Sequence, residues 1–396
     1  MASFVEQISA VTAMNLRSVP QRLGASLVIV VGIGGVVVVL VGLLAMGEGF
    51  KATLASTGRP DRALVLRGGS TDELGSVVVR DQARVIADAP GVRKGADGKP
   101  LALFELYMLT DIAKQGDTTP NNVVVRGTSS NVLAVRTEAK IVEGRMFQPG
   151  LREVIVGRGA QRQFANLSIG SDVEVRDGPW KVVGVFETGG DVHESEIWTD
   201  ADALTAASRR QAYNTVAVQL EDVQSFQKFK DALSTDPRLT VNVQREPEYY
   251  ASRSKALNNL ITFLGYTVAV IMAIGAIFGA LNTMYAAVST RAVEIATLRA
   301  IGFGGFPVVV SVLVESLLLA LAGGVIGSAI SYLIFNGYSV ATLNMQTFSQ
   351  VAFAFRVTPA LLQEGLILAL LLGFVGGLFP AVRAARLPVA EALRAG

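Results

Sequence analysis

The chain has 396 residues, of which 51% are apolar and 17% are charged, a composition typical of a membrane protein. Its formal net charge of +2 gives no indication of a nucleic-acid partner. The absence of cysteine excludes disulfides and thiolate sites, and a single histidine excludes multi-histidine zinc sites. We predict no catalytic residue, no metal site and no cofactor bound by this chain. His193 is expected to be a solvated loop side chain.

Four apolar stretches are long enough to cross the hydrocarbon core, which requires about 20 residues. They predict transmembrane spans at residues 24–46, 257–288, 307–335 and 361–382. The first stretch is too long for the apolar region of a signal peptide, and no A-x-A-like cleavage site follows it. It is therefore expected to remain as an anchor.

The arginines of the short loops predict the orientation of these spans. Those on one side of the membrane are Arg17, Arg22, Arg291, Arg299, Arg383, Arg386 and Arg394, whereas the opposite short loop contains only Arg356. A multi-pass membrane protein follows, with both termini cytoplasmic, and in a Gram-negative bacterium this membrane is the inner membrane. Residues 1–23 are predicted to form an amphipathic helix, 289–306 a cytoplasmic connection and 383–396 a tail. Residues 47–256 and a short loop at 336–360 are then periplasmic.

The periplasmic region alternates strand-like and helix-like sequence. The first β-α-β unit is predicted at Arg62–Arg67, Arg80–Ala89 and Leu101–Met108, and the second at Thr215–Leu220, Val223–Leu233 and Leu239–Val243. Two such units can pair into one split, ferredoxin-like layer. A mostly β insertion is predicted at about 120–200, and its polar, glycine-containing stretch Thr188–Ser195 is expected to be an exposed loop. The predicted fold class is a bundle of four transmembrane helices plus an α+β periplasmic domain.

The sequence before the second span contains no Gly or Pro after Pro247, so Glu248–Val288 is compatible with one helix of about 60 Å. Such a helix would carry movement from one side of the membrane to the other. A simple connector is the equally favoured alternative.

Small residues recur at four-residue spacing inside three spans and permit close helix approach. They are Gly275 and Gly279, Gly323 and Gly327, and Gly373 and Gly377. Packing within one bundle is favoured over a dimer contact, although the motif alone does not separate the two.

Glu315 is the one charge well inside a span. A charge facing lipid costs about 2.5–3.5 kcal/mol on insertion scales, so Glu315 is expected to face protein. An interhelix hydrogen bond is favoured over a substrate or proton site.

The connection after the second span reads STRAVEIATLRAIG and is helix-prone up to Gly302, which is suited to a C-terminal cap. Ile295, Leu298 and Gly302 fall near one face, and Arg291 and Glu294 precede them. A short helix of mixed charge suits a groove on a protein better than a lipid surface, where helices usually contain more Lys and Arg.

At this point the chain resembles the FtsX-like permease family with a MacB-like periplasmic core domain between the first two spans. The resemblance rests on RAVEIATLRAIG, LVES and LAGGVIG within 291–327 and on GGLFPAVRAARLPVAEALR at 376–394. Weaker matches are NLRSVPQRLGASLVIVVGIGG near the N-terminus and EGRMF, IGSDVEV and WKVVGVFE in the periplasmic region.

The resemblance implies the permease subunit of a mechanotransmission (type VII) ABC transporter, with ATP and Mg bound by a separate cytoplasmic ATPase. The sequence agrees, because it contains no G-x-x-x-x-G-K-[ST] motif. The coupling helix held by the ATPase would comprise Arg291, Glu294, Ile295, Leu298, Arg299, Ile301 and Gly302. The tail residues Arg383, Arg386 and Leu393 would lie beside it.

The family also implies a homodimer and, for the exporter branch, a periplasmic adaptor and an outer-membrane channel. Tripartite efflux of a small molecule, peptide or lipid-like cargo is the leading hypothesis. A lipoprotein-releasing permease and a non-transporting permease that controls periplasmic hydrolases are the alternatives. A membrane-embedded enzyme and a secondary transporter are disfavoured, because the sequence lacks a His-based site and has few spans.

Overall fold

The structure, a computed structural model, describes residues 4–18, 22–116, 119–343 and 350–389. These residues form two compact units. We call one the α/β domain, which comprises Gly49–Asn258 and Ser339–Ala354. The other, the helical domain, comprises the described residues up to Glu48, Asn259–Tyr338 and those from Phe355 onward.

The helices of the described residues are, in chain order, α1 (Phe4–Ser18), α2 (Leu23–Ser56), α3 (Arg80–Ala87), α4 (Val132–Val135), α5 (Arg158–Gln163), α6 (Ala201–Ala207), α7 (Ser225–Thr235), α8 (Glu246–Thr290), α9 (Ala292–Ala300), α10 (Gly305–Phe335) and α11 (Pro359–Ala385). Four of them, α2, α8, α10 and α11, are long and apolar enough to cross a membrane. The prediction of four transmembrane helices is confirmed.

Helix α8 is one continuous helix of 45 residues, about 68 Å long at 1.5 Å per residue. The prediction of a single long helix at 248–288 is confirmed, and its role in carrying movement stays a prediction. Helix α11 begins where its sequence indicates, because the Thr358 hydroxyl accepts a hydrogen bond from the backbone N–H of Leu361 at 3.4 Å. Pro359 then occupies the first turn, where no intrahelical N–H is needed.

The strands are β1 (Arg62–Arg67), β2 (Val78–Val79), β3 (Ala102–Ala113), β4 (Pro120–Thr128), β5 (Lys140–Gly144), β6 (Glu153–Gly157), β7 (Asp172–Val175), β8 (Gly178–Glu187), β9 (Glu196–Asp200), β10 (Ala212–Tyr213), β11 (Thr215–Gln219), β12 (Val241–Arg245), β13 (Ser339–Leu343) and β14 (Gln350–Ala354). Ten of them form one sheet, in the order β12-β1-β11-β3-β4-β9-β6-β8-β5 with β7 beside β8.

The first four strands of this order, β12-β1-β11-β3, are mutually antiparallel neighbours. Helix α3 follows β1, and α7 lies between β11 and β12. Ile86 of α3 and Phe229 of α7 belong to one apolar cluster with Val65 and Val216 of the sheet. Both helices therefore cover the same face, as in a split β-α-β layer, and the predicted ferredoxin-like subdomain is confirmed.

The β-rich insertion continues this sheet instead of forming a second layer. Strand β3 is 12 residues long, and beyond its pairing with β11 it pairs with β4 from Leu106 onward. Strands β9, β6 and β8 follow beside β4 around a second apolar cluster that includes Trp180. Because one long strand is shared, the two subdomains have a common backbone element.

Two sequence-based expectations for the α/β domain are wrong. The stretch Thr188–Ser195 is not an exposed loop, because Thr188, Asp191 and Ser195 are buried and only its two glycines are exposed. His193 is fully buried instead of solvated. Carboxylates inside the stretch accept its backbone N–H groups, so it can leave water without losing hydrogen bonds.

The predicted short loop at 336–360 contains a β-hairpin, β13–β14, that belongs to the α/β domain. Its backbone pairs from Ser339 with Ala354 up to Leu343 with Gln350. Ring contact between Phe353 and Phe50, whose centroids lie 5.4 Å apart, packs the hairpin against the last turns of α2.

Candidate functional site

Helix α9 is separated from α8 by the single residue Arg291. It ends at Ala300, and Gly302, two residues later, has φ of +105°, a left-handed conformation that glycine adopts without a Cβ clash. The N–H of Gly302 donates to the carbonyl of Arg299, and the N–H of Phe303 donates to that of Leu298 at 3.1 Å. These bonds satisfy carbonyls at the end of α9, so Gly302 acts as the C-terminal cap.

One side of α9 is open. Val293 and Ile301 are 43% and 69% exposed, and Glu294 and Thr297 are exposed as well. These four side chains lie within about 100° of one another around the helix. We call Val293, Glu294, Thr297 and Ile301 the α9 surface. The opposite side of the helix is covered, because Ile295 belongs to the apolar core of the helical domain.

The residue that opens α9 is held by a carboxylate of α10. Arg291 is buried, and its Nη1 lies 3.2 Å from Glu315 Oε2 and 2.7 Å from Asn15 Oδ1. Its Nη2 also lies 3.4 Å from Glu315 Oε1. Arg291 therefore ties the start of α9 to both α10 and α1.

Two further contacts extend this cluster. Arg22, at the start of α2, places Nη2 3.5 Å from Glu315 Oε1 and donates from Nη1 to the Ala287 carbonyl at 3.3 Å. The Asn15 amide donates to the Ser311 hydroxyl. We call Asn15, Arg22, Arg291, Ser311 and Glu315 the Glu315 cluster.

In the Glu315 cluster, the carboxylate of Glu315 inside the α10 span has charged partners. Glu315 touches two guanidinium groups, so its negative charge is compensated within the protein and not exposed to lipid. Removing one partner of a buried ion pair typically costs about 3–5 kcal/mol, because the other charge is left uncompensated. Within the described part of the chain, Glu315 therefore forms ion pairs that connect α10 with the residues preceding α2 and α9.

The residues predicted to couple to an ATPase differ in exposure and fall into three groups. Glu294, Ile301 and Gly302 are exposed, whereas Arg291 and Ile295 point into the helical domain. Leu298 and Arg299 are half-buried. Arg291 and Ile295 would have to be exposed to contact a partner directly. Because they are buried, they hold α9 in place instead.

The described part of the predicted tail, residues 383–389, contacts α9 and α8. Arg299 donates from Nη1 to the Leu387 carbonyl at 2.8 Å, which joins the end of α9 to the residues after α11. Arg383 and Arg386 are exposed, and the Arg383 guanidinium lies 5.4 Å from the Tyr285 ring centroid. Leu393 lies outside the described residues.

The six glycines predicted to allow helix packing fall into two groups. A methyl group at Gly327 would lie 2.6 Å from the Gly34 carbonyl oxygen of α2, and one at Gly323 would lie 2.7 Å from that of Val30. Gly373 and Gly377 of α11 approach α10 as closely. These four glycines allow helix packing within the helical domain.

Gly275 and Gly279 of α8 are different, because a methyl group at either position would meet no atom within 4 Å. The expectation that the glycine pairs pack within one bundle does not hold for this pair. Asn282, one turn further along the same side of α8, is exposed and has no hydrogen bond to the described residues. This side of α8 carries a polar amide within an apolar helix.

A second charge cluster is buried in the α/β domain. Arg126 of β4 binds both oxygens of Glu196 of β9 at 2.7 Å, Glu73 at 2.7 Å and Glu105 of β3 at 2.9 Å. Burial favours the neutral form of Glu196, but Arg126 and His193 outweigh it and hold the pKa of Glu196 well below its usual range. Glu196 is therefore an ionised, fully paired carboxylate.

The same cluster reaches the first residue of α8. Arg136, after α4, binds Glu105 at 3.1 Å and Glu246 at 2.5 Å. Glu246 also lies 2.8 Å from Arg62 of β1 and accepts the backbone N–H of Arg59 at 3.2 Å. Glu246 thus connects the start of α8 with the residues that follow α2.

The sequence analysis missed this second cluster. Its one visible signal is an arginine within the apolar strand sequence VVVRG at 123–127, where a charge is out of place unless it is paired. The partners of Arg126 lie 70, 53 and 21 residues away along the chain, so their identity required the fold. In the described part of the chain, no group of three or more His, Cys, Asp or Glu side chains is arranged to hold a metal ion.

Comparison with known proteins places these features in a family. Residues 26–236 match the model of the MacB-like periplasmic core domain, and 266–389 match that of the FtsX-like permease C-terminal region. An uncharacterised ABC transporter permease, YknZ of Bacillus subtilis, is 24% identical over 98% of this chain and 97% of its own length.

The macrolide export ATP-binding/permease protein MacB of Azoarcus is 24% identical over 99% of this chain but 60% of its own length. The corresponding protein of Nitrobacter winogradskyi is 30% identical over 57% of this chain and 35% of its own length. The chain thus spans about 60% or less of these MacB relatives.

Among solved structures, the periplasmic region of MacB from Actinobacillus actinomycetemcomitans matches with a TM-score of 0.36 and 13% identity, over 47% of this chain and 89% of that chain. The fold assignment accordingly rests on the strand order and the helices of this chain. The two matching family models together cover most of its length. The chain belongs to the FtsX-like permeases of ABC transporters that carry a MacB-like periplasmic core domain, and it is the permease component.

Proposed function

We propose that a separate cytoplasmic ATPase docks on the α9 surface and that its hydrolysis of ATP, with Mg bound in the ATPase, moves the α/β domain on the other side of the inner membrane. The movement would travel along α2 and α8, both of which are continuous helices that begin or end in the α/β domain. In this proposal both termini and α9 lie in the cytoplasm.

The observation that carries the proposal is the two-sided character of α9. Its outer side presents two exposed aliphatic residues around a carboxylate, Val293, Ile301 and Glu294. Its inner side is fixed by the Arg291–Glu315 ion pair and by the bond from Arg299 to Leu387. A helix held in this way can transmit a force applied to its outer side to α10 and to the end of α11.

A second copy of the chain would complete the transporter. We infer that it packs against the side of α8 formed by Gly275, Gly279 and Asn282. Small residues permit close helix approach there, and Asn282 would gain a hydrogen-bond partner across a two-fold axis. The proposed assembly contains two permease chains and two ATPase subunits.

For the cargo, we propose tripartite efflux of a small molecule, a peptide or a lipid-like compound, with a periplasmic adaptor and an outer-membrane channel. The names of the MacB relatives, macrolide export proteins, support this choice. Lipoprotein release and control of periplasmic hydrolases remain the alternatives. Recovery of an adaptor in a pull-down from membranes would support efflux. Recovery of a second, different permease would instead support lipoprotein release, and recovery of a hydrolase would support control of periplasmic hydrolases.

Docking is tested by co-purification of the tagged permease with ABC ATPase subunits from membranes. Val293→Asp combined with Ile301→Asp should reduce the co-purified ATPase at least tenfold, because loss of two apolar contacts at the centre of an interface costs more than about 1.4 kcal/mol.

Val223→Asp is the matched control, since Val223 of the α/β domain is as exposed as Val293, at 43%. Undiminished ATPase recovery with the double variant, in a protein whose melting temperature matches that of the control, would refute docking on the α9 surface.

A further inference from the structure

The segment Thr188–Glu196, which we call the hub loop, runs from the end of β8 to the first residue of β9 and is held rigid by its own side chains. Asp191 accepts hydrogen bonds from the His193 backbone N–H at 2.9 Å and from the Thr188 hydroxyl. Glu194 Oε1 accepts the backbone N–H groups of Thr188 and Gly190, each at 2.8 Å. Its conformation is therefore fixed by internal bonds on both sides of the two glycines.

The hub loop also has no room to shift against β6 and α5. A methyl group at Gly157, the last residue of β6, would lie 2.3 Å from the Glu194 carbonyl oxygen, and one at Gly159 would lie 2.9 Å from the same atom. The backbone at Glu194 consequently rests directly on the backbone of a neighbouring element, with no flexible side chain between them.

The hub loop contacts the end of α2, the first of the three stretches by which the chain enters or leaves the α/β domain. The backbone N–H of Val192 donates to the Thr57 hydroxyl at 3.1 Å. Thr57 is itself buried, and its hydroxyl donates to the Thr53 carbonyl within α2 at 2.8 Å. Through this hydroxyl the hub loop is bonded to the last turn of α2.

The second contact is with the β13–β14 hairpin, which connects α10 with α11 in the chain. The backbone N–H of Ala352 in β14 donates to the Ser195 hydroxyl at 2.8 Å. A methyl group at Gly159 would lie 3.5 Å from the Ala352 side chain, so the hairpin, the hub loop and α5 meet at this point. Ser195 is buried there.

The third contact is with α8. The His193 ring packs edge-on against the Tyr250 ring of α8, with centroids 5.7 Å apart and an interplanar angle of 87°. His193 Nδ1 lies 3.1 Å from Glu196 Oε2, and the indole N–H of Trp198 donates to the same oxygen at 2.8 Å. The only histidine of the chain thus fills the space between the hub loop and the first turns of α8.

An unbroken series of ion pairs reinforces this third contact. It runs from Glu196 to Arg126, then to Glu105, then to Arg136 and finally to Glu246, the first residue of α8, with successive distances of 2.7, 2.9, 3.1 and 2.5 Å. All five side chains are buried. A displacement of any member would leave a buried charge incompletely paired, so the series resists being stretched.

We propose that the hub loop is the joint that couples the end of α2, the start of α8 and the β13–β14 hairpin, so that a displacement of one is passed to the other two and to the central sheet. Three of the four spans adjoin these stretches directly in the chain, and α11 follows the hairpin closely. The joint would make the α/β domain respond as one body. Only the biological use of this response rests on the proposed function.

The test measures hydrogen–deuterium exchange in the purified full-length permease, without ATPase. Thr57→Val removes the acceptor of the Val192 N–H, and none of the hydrogen bonds that Thr57 makes to the described residues goes to the hairpin. If the hub loop couples the two, amides of Gln350–Ala354 should exchange about threefold to fivefold faster, because the substitution removes both hydrogen bonds of the Thr57 hydroxyl and the joint transmits part of that loss. Coupling is reciprocal, so Ser195→Ala should also speed exchange at the end of α2.

Thr110→Val is the matched control, because the Thr110 hydroxyl donates one hydrogen bond, to the Glu174 carbonyl at 2.9 Å, away from the hub loop. Unchanged exchange of the hairpin in Thr57→Val overturns the proposal. Equal acceleration in α7, which packs in the separate apolar cluster of the ferredoxin-like subdomain, also overturns it, because that result indicates global destabilisation. No ATPase takes part, so this outcome is independent of whether docking on the α9 surface succeeds or fails.

Discussion

Arg291 Nη1 lies 3.2 Å from Glu315 Oε2, which joins the residue before α9 to the one carboxylate in the interior of α10. The two residues are 24 positions apart, and both are buried. A force that moves α9 must either carry α10 with it or separate a buried ion pair. The pair therefore determines how firmly the α9 surface is connected to the rest of the helical domain.

The first prediction concerns this ion pair. Glu315→Gln should destabilise the helical domain by about 3 kcal/mol, because Arg291 keeps its charge in a buried site while Arg22 loses its carboxylate partner. Adding Arg291→Gln should restore part of the loss, with a coupling energy of about 1–3 kcal/mol. Unfolding followed by far-UV circular dichroism in detergent measures both effects.

Glu364→Gln is the control for this cycle, because Glu364 is exposed and accepts one hydrogen bond, from the Tyr266 hydroxyl at 3.1 Å. Strict additivity of Glu315→Gln and Arg291→Gln would show that the pair contributes no coupling.

The second prediction separates packed glycines from open ones. Gly327→Ala should lower the free energy of unfolding by about 1–3 kcal/mol, because its methyl group would lie 2.6 Å from the Gly34 carbonyl oxygen and force α10 away from α2. Gly275→Ala should leave the stability of the monomer unchanged, since nothing lies within 4 Å. Thermal unfolding in detergent at low protein concentration compares the two, and equal effects would contradict the packing seen here.

The third prediction tests the dimer contact on α8. The chain contains no cysteine, so single cysteines can be introduced without background reaction. Gly279→Cys and Asn282→Cys should form disulfide-linked dimers when membranes are oxidised, because equivalent residues approach each other near a two-fold axis. Leu333→Cys is the control on α10, where the side chain is 80% exposed. Efficient cross-linking of the control, or none on α8, would assign the contact elsewhere.

The fourth prediction is an acid transition of the α/β domain. Because Arg126 and His193 hold the folded-state pKa of Glu196 below its usual value near 4.5, Glu196 stabilises the fold at neutral pH. This contribution is on the order of 3 kcal/mol. It should be lost progressively as the pH falls below about 4.5, because Glu196 then takes up a proton in the unfolded chain but not yet in the folded chain. Glu196→Gln should be less stable at pH 7 and show a shallower acid limb.

Tryptophan fluorescence measures this transition in the full-length protein, because Trp180 and Trp198 are the only tryptophans and both are buried in the α/β domain. Glu187→Gln is a control, since Glu187 pairs with Arg158 in a half-buried setting. Parallel acid limbs for the wild type and Glu196→Gln would exclude Glu196 as a determinant of acid stability.

Local patterns in the sequence predicted the four spans and the succession of strands and helices in the two β-α-β units. The apolar stretches are recognisable because the membrane sets a minimum length for them, a local property of the chain. The predicted strand Arg62–Arg67 coincides with β1, since alternation and turn residues are also local signals. The long helix through Glu248–Val288 was left open by the sequence, and the structure shows it continuous.

Which polar residues are buried, and what they contact, could be seen only in the fold. His193 and the surrounding polar residues have the composition of an exposed loop, yet their carboxylates satisfy their own backbone N–H groups and allow burial. Arg126 meets a carboxylate 70 residues away, which no local pattern indicates. For Gly275 and Gly327 the sequence motif is the same, but only the fold shows that one faces open space and the other a neighbouring backbone, because burial depends on elements distant in the chain.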